Sequence, residues 1–247
     1  MNASFSGNRV LILGGTCELA LILAPYLIKA SLFPILTFRD EKGLNSIQAA
    51  LKPFEGKYDA RRLNFGDRGS LNSLFDYIGD HLDFMVDFAH GHYESLIASA
   101  DEECVYRYFM ENVSFRAEII KRAARAMMKK RKGRLIFISS SAAVRTNPGQ
   151  GFYAAAKLAS EALYRTMGLE LGERGITTAI LRPGYIDAGR GRTYINKKGC
   201  EILEMVPIKR AITQKEVAET ILFLLSDSAA GINATEISMD GGLTYRK

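Results

Sequence analysis

The sequence predicts an α/β protein: a single-domain, doubly wound, Rossmann-like sheet, mostly parallel, with helices on both faces. Three observations carry this. Short β-type apolar runs alternate with longer amphipathic stretches along the whole chain. The runs "RLIFIS" and "TTAILR" are almost continuously apolar, as strands covered on both faces are. With 247 residues, 47% hydrophobic and 24% charged, the chain suits one large domain over residues 1–247 with a real core.

The elements follow in order. The first strand is the apolar run 10–13, and an amphipathic helix covers 19–30. A strand over 34–38 precedes a helix over 71–81, and strands over 84–88 and 134–139 bracket a long helical stretch, 105–130. A helix over 153–173 leads into the strand 177–182, and a helix over 214–226 into the last strand, 236–239. Repeats, low-complexity tracts and linker-like stretches are absent. Such alternation implies right-handed crossovers, and ligands bind beyond the carboxyl ends of the strands. The suggestive residues fall there: 14–19, Arg39, 89–91, Ser140 and 183–186.

Composition narrows the function classes. No apolar run is long enough to span a membrane, and "MNASFSGNRV" lacks the apolar core of a leader, so the expected location is the cytoplasm. Cys17, Cys104 and Cys200 are odd in number and form no CxxC pair, which argues against disulfides or zinc. His90 and His92 flank Gly91 without further metal ligands at the right spacing, so no metal is expected. The net charge of +6 is concentrated in "KKRKGR", residues 129–134. Such a run suits a helix carboxyl end or an acidic partner, and no nucleic-acid motif accompanies it.

"YAAAK" sets Tyr153 and Lys157 four residues apart, on one face of a helix. A free tyrosine titrates near pH ~10, and a neighbouring lysine cation lowers it toward a useful range. Ser140 lies thirteen residues earlier, and Asn112 sits in the helical "MENVSFRAEII".

These residues, with "RPGYID" (182–187) and a terminal "DGG" (240–242), resemble the short-chain dehydrogenase/reductase family nearly end to end. "RAMMKKRKGRLIFISS" and "ERGI" are most similar to its 3-oxoacyl-(acyl-carrier-protein) reductases. The resemblance implies hydride transfer between a nicotinamide and a carbonyl carbon. Tyr153 would be the proton donor, Ser140 would hold the carbonyl oxygen, and Lys157 would tune Tyr153 and bind ribose hydroxyls. Asn112 would hold a water in a proton relay. It places the cofactor against Gly14, Thr16, Cys17, Glu18 and Leu19, then Arg39, Asn64 and Phe65, then Ala89 and His90. Tyr153 and Lys157, with Pro183, Gly184 and Ile186, complete the set. Residues 185–210 resemble a substrate lid, with Gly189 and Gly191 giving it mobility. The family also implies a homo-oligomer, tetramer or dimer, built on the helices around 105–130 and 153–173. An acyl carrier protein would dock on Lys129, Arg131 and Arg174.

Cofactor choice has its own argument. An NAD site wants a carboxylate after the second strand; here Arg39 stands there, which suits a 2′-phosphate, so NADP(H) is expected. Asn64 replaces the usual adenine-contacting aspartate. Three departures stand out. Glu18 and Ala20 replace glycines of the turn, and Glu18 is expected to direct its carboxylate outward. His90 replaces the glycine of the family's "NNAG", here "DFAHG", and is expected to point away; the alternative is a substrate contact. Ala188 stands where many members carry threonine. Two other functions stay open: a reductase of a free small alcohol, sugar or quinone-like ketone, and a catalytically silent nucleotide- or partner-binding protein.

Overall fold

The structure is a computed structural model that describes residues 3–246; the start of the expected leader-free segment and the Cys200 side chain lie outside the described residues. Seven parallel strands form one sheet in the order β3-β2-β1-β4-β5-β6-β7. They are β1 (Arg9–Leu13), β2 (Phe33–Phe38), β3 (Asp59–Arg62), β4 (Phe84–Asp87), β5 (Gly133–Ile138), β6 (Ile176–Pro183) and β7 (Thr235–Met239). The helices are α1 (Glu18–Lys29), α2 (Glu41–Ala50), α3 (Arg68–Ile78), α4 (Glu102–Phe109), α5 (Phe115–Met128), α6 (Gly151–Leu171), α7 (Gly189–Lys198) and α8 (Gln214–Leu225).

Alternate strand residues point to opposite faces and build two core layers. Val10, Ile12, Leu36, Val86 and Ile136 pack with α1 and α8 residues such as Leu23 and Ile221. Leu11, Leu13, Ile35, Met85 and Phe137 pack with Leu74 of α3, Ile119 of α5 and Tyr164 of α6. The chain winds outward through β2 and β3, then returns to β4 beside β1. The crevice of a doubly wound sheet opens where that order reverses, at the carboxyl ends of β1 and β4.

Two elements differ from expectation. β3, "DARR", has no apolar run; it is an edge strand whose polar side chains pair locally, Arg61 with Asp59 at 3.0 Å. The stretch 105–130 is not one helix: a π turn, Met110–Ser114, separates α4 from α5. Inserting a residue into the hydrogen-bond ladder leaves hydrophobic spacing almost unchanged, so periodicity does not report it.

Candidate active site

The turn after β1 is shaped by close approach. Gly14 has φ +70°, and a Cβ there would stand 2.9 Å from the backbone N and Cα of Ala89. A Cβ on Gly15 would lie 2.6 Å from Leu36 Cβ. Gly14 N–H donates to Thr37 Oγ1 (3.0 Å), and Cys17 N–H to Gly14 O (3.0 Å), which closes the turn. α1 starts at Glu18 with no side-chain cap on its first N–H groups, the arrangement that accepts a pyrophosphate. Ala20 is buried in the core, so its methyl is accommodated. Thr16 abuts Gly43, and Leu19 packs at the core's edge.

Glu18 does not face outward. Its carboxylate crosses to α7 and accepts from Gly189 N–H (2.8 Å), Arg192 Nη2 (3.0 Å) and Gln214 Nε2 (2.6 Å). The Gly189 N–H, then Arg192, hold its carboxyl below the usual range. The charge that would repel a phosphate is thus paired within the protein.

At the carboxyl end of β2, Arg39 is exposed and 3.4 Å from Asp40, whose other oxygen caps α2 by accepting from Gly43 N–H at 2.9 Å. Arg62, ending β3, donates to Arg39 O (3.4 Å) and adds a second cation to this corner. The Asn64 loop is fixed through its backbone, with the N–H donating to Ser70 Oγ at 3.0 Å. Phe65 packs on Phe115. The glycine turn, the uncapped helix start and this cationic corner fit a dinucleotide.

Ser140, Tyr153, Lys157 and His90 come together beyond β4 and β5. Buried Glu161 anchors α6, accepting from Ser139 Oγ (2.5 Å) and pairing with Arg182 of β6. Lys157, one turn before Glu161, is buried and donates to Ile138 O at 2.7 Å. Burial, then the Arg116 guanidinium, pulls its ammonium well below the ordinary range. Ser140 Oγ accepts from Ala142 N–H (3.1 Å) and stands by the Tyr153 hydroxyl. Burial raises the Tyr153 phenol; the Arg190 guanidinium and then Ser140 act against that, and Glu94 adds to it. Two cations stand by its ring, Lys157 Nζ at 5.8 Å and the Arg190 guanidinium at 5.9 Å from the ring centre.

His90 also departs from expectation, because it points inward. Its ring meets Tyr153 edge-on at 4.8 Å, and Nε2 lies 2.7 Å from the Tyr108 hydroxyl. Nδ1 is buried without a partner among the described residues, and burial holds the imidazole well below its usual range. Tyr93, Tyr108, Phe109 and Phe152 continue this wall as an aromatic cluster. Asn112, in the π turn, accepts from Gly91 N–H (2.7 Å) and donates to Tyr108 O (2.9 Å). Its backbone carbonyl oxygen accepts from Arg116 Nε (2.9 Å) and Ser160 Oγ (3.3 Å).

Arg116 and Arg190 escaped sequence reasoning. Fully buried Arg116 pairs with Asp87, donates to Ala89 O (2.5 Å) and so holds the floor of the site; Tyr164 also donates to Asp87, at 2.9 Å. The available signal was its place four residues after Asn112, on the same helical face. Pro183 closes β6, and Gly184 N–H donates to Met239 O (3.0 Å) in contact with Asp240. Ile186 and Ala188 are buried and lead into α7. Lys129, Arg131 and Arg174 precede β5 and β6, at the opposite edge of the sheet from Tyr153 within one chain. Lys129 pairs with Asp80 at 2.7 Å, and Arg131 donates to Glu173 O at 3.0 Å. Among the described residues, no helix is long and apolar enough to cross a membrane.

Comparison with known proteins agrees with this geometry. The family described as "Enoyl-(Acyl carrier protein) reductase" matches residues 23–244. The 3-oxoacyl-(acyl-carrier-protein) reductase FabG of Haemophilus influenzae is 32% identical over 241 residues, 96% of this chain and 98% of that protein. FabG of Escherichia coli is 30% identical over 97% of this chain and 98% of its own length. Among solved structures, a short chain dehydrogenase/reductase family protein superposes with TM-score 0.88 at 24% identity, over 99% of this chain and 100% of the other. A short-chain type dehydrogenase/reductase from Mycobacterium ulcerans gives the same TM-score and identity, covering 99% of this chain and 92% of that one.

Proposed function

The chain belongs to the short-chain dehydrogenase/reductase family, and from that premise we propose that it is an NADP(H)-dependent ketoreductase acting on a 3-oxoacyl thioester carried by an acyl carrier protein. The observation behind this reading is the meeting of Tyr153, Ser140 and Lys157 beyond β5, next to a glycine turn that fits a dinucleotide. The bound nicotinamide supplies the hydride. Tyr153 gives its hydroxyl proton to the substrate carbonyl oxygen, and Ser140 hydrogen-bonds the same oxygen as charge develops. Lys157, held by Ile138 O, orients ribose hydroxyls, and Asn112 fixes the Gly91 backbone at the rim.

Arg39, backed by Arg62, favours NADP(H), while Asp40 is engaged as the cap of α2 and does not offer itself to a ribose. Residues 185–210 act as the lid of one domain spanning 1–247, and the cytoplasm is the fitting location. The carrier-docking cations reach a Tyr153 only in an oligomer. α5 runs from the site edge of the sheet to the edge where Lys129 lies, so twofold pairing of this face brings one copy's cations beside its partner's site. Leu158 and Leu169 of α6 are exposed there. A second reading, reduction of a free compact ketone, is favoured by the aromatic wall of Tyr93, Tyr108 and Phe152, which narrows the site.

The test is reduction of 3-oxoacyl thioesters, free and carrier-bound, with NADPH and NADH. NADPH and the carrier-bound substrate should be preferred, and Arg39→Ala should erase the nucleotide preference. Tyr153→Phe should lower reduction by ~10²–10⁴-fold and leave NADPH fluorescence binding unchanged. Activity retained in Tyr153→Phe would sink the assigned acid.

A further inference from the structure

The loop after β4 carries the His90 imidazole into the space beside Tyr153, and both chain neighbours of His90 are tied down. Before it, Ala89 N–H donates to the Asp87 carboxylate at 3.0 Å, and Ala89 O accepts from buried Arg116 at 2.5 Å. After it, Gly91 N–H donates to Asn112 Oδ1 at 2.7 Å, so close that a Cβ on Gly91 would stand 3.0 Å from Asn112 Nδ2. The backbone bearing His90 therefore has little freedom to swing out when something presses on the ring.

The ring itself is held by other rings. Nε2 lies 2.7 Å from the hydroxyl of buried Tyr108. Tyr108 packs on Tyr93 with ring centres 5.8 Å apart, and Tyr93 on Phe152 at 5.6 Å. Phe152 precedes Tyr153 in α6, and Tyr153 meets His90 at 4.8 Å, so the rings close a circuit. Rings at these distances are packed against one another, and packed side chains do not admit an added methylene without cost. The second imidazole nitrogen, Nδ1, is buried within this packing. A buried atom has no surface to offer a ligand, so His90 acts on a ligand through its bulk.

A ketone whose oxygen is held by Tyr153 and Ser140 has two substituents that leave its carbonyl carbon in different directions. In a 3-oxoacyl thioester the one bearing sulfur must reach solvent to be joined to a carrier. The alkyl tail is left to the enclosed side, where an imidazole stands in a glycine's place. We propose that His90 is a specificity-determining residue that limits this tail to a methyl group, which makes the substrate a 3-oxobutyryl thioester. Tyr108 is the positioning residue that keeps the ring in the way. The substrate named here rests on the reduction reading above; the wall that His90 forms does not.

The experiment compares kcat/KM for the 3-oxobutyryl and 3-oxohexanoyl thioesters of N-acetylcysteamine, with NADPH affinity followed by fluorescence. A methylene that does not fit a pocket is worth ~10-fold or more, so wild type should prefer the shorter tail by ~10²-fold. His90→Gly and His90→Ala should each cut that ratio by ~10-fold or more. His90→Phe, which keeps the bulk and loses the hydrogen bond to Tyr108, should retain the preference, and Tyr108→Phe should fall between. A merely structural role for His90 would change both substrates alike and leave the ratio where it was. An unchanged ratio in His90→Gly and His90→Ala overturns the size limit, and so does a ratio lost in His90→Phe, since the selection would then lie in a hydrogen bond. A gain in NADPH affinity in His90→Gly with the ratio intact also overturns it, because the ring would then press on the cofactor. If wild type reduces neither thioester, the reduction reading fails and the wall is tested by calorimetry on the NADP⁺-saturated protein. The ligands are then the 3-hydroxybutyryl and 3-hydroxyhexanoyl thioesters, which keep an oxygen for Tyr153 and Ser140. A gain in affinity for the longer one in His90→Gly supports the wall, and no gain overturns it.

Discussion

His90 takes a glycine's place and fills the space with an imidazole wedged between two phenols, 4.8 Å from the Tyr153 ring and 2.7 Å from the Tyr108 hydroxyl. Burial disfavours its charged form and lowers its pKa well below the unfolded value of about 6.5. Below that value the unfolded chain binds a proton at this histidine and the folded protein does not. Stability therefore falls as pH drops below ~6.5, with a limiting slope of about 1.4 kcal/mol per pH unit, until the folded pKa is passed. Urea unfolding of wild type and His90→Gln at pH 7 and pH 5 should show a steeper acid loss in the wild type; equal slopes would contradict it. The sequence announces His90 as a departure but not its direction. A side chain's orientation depends on the neighbours it meets, and Tyr108 lies eighteen residues away in another element. Tyr153, Ser140 and Lys157 were easier to read, because their spacing along one helix and one strand end already fixes which way they face.

At the scale of elements, the turn after β1 is readable because its requirement is local. Gly14 needs a positive φ, +70°, and passes too close to Ala89 for any Cβ, at 2.9 Å from two backbone atoms that cannot step aside. Gly14→Ala should destabilise the protein by about 1–2 kcal/mol for the left-handed backbone alone. The forced separation of the β1 and β4 ends should weaken NADPH binding as well. Thermal unfolding with and without NADPH measures both, and a variant with wild-type nucleotide affinity would show that the turn does not shape the site. β3 and the π turn were hidden for the opposite reason. β3 is held by its partner strand and by polar pairs such as Arg61–Asp59, so its own residues carry no alternation. The π turn lies where Asn112 and Arg116 satisfy groups after and within β4, Gly91 N–H, Ala89 O and the Asp87 carboxylate, and nothing in the spacing of apolar residues marks that exchange.

For the whole molecule, alternation of strands and helices was enough to give the sheet and its two covered faces, because burying an apolar stripe leaves few architectures. What alternation does not contain is the polar linkage inside the core. Arg116 of α5, Asp87 of β4 and Tyr164 of α6 meet with no exposure to solvent, and Arg116 also reaches Ala89 O and Asn112 O. In a sequence, an arginine on an amphipathic helix reads as surface, so this centre was missed. A buried pair contributes little net stability when complete, since desolvation offsets much of its attraction, yet removing one partner strands the other charge. Arg116→Met should accordingly cost about 3–5 kcal/mol, read as a shift of the urea midpoint. Adding Asp87→Asn removes the stranded carboxylate and should return a substantial part of that loss, with Tyr164 still able to donate to the amide oxygen. If the double variant is instead less stable than Arg116→Met by the full cost of Asp87→Asn alone, the two residues do not act as a pair. The site's floor would then be held by the packing of α5 and α6 and not by this linkage.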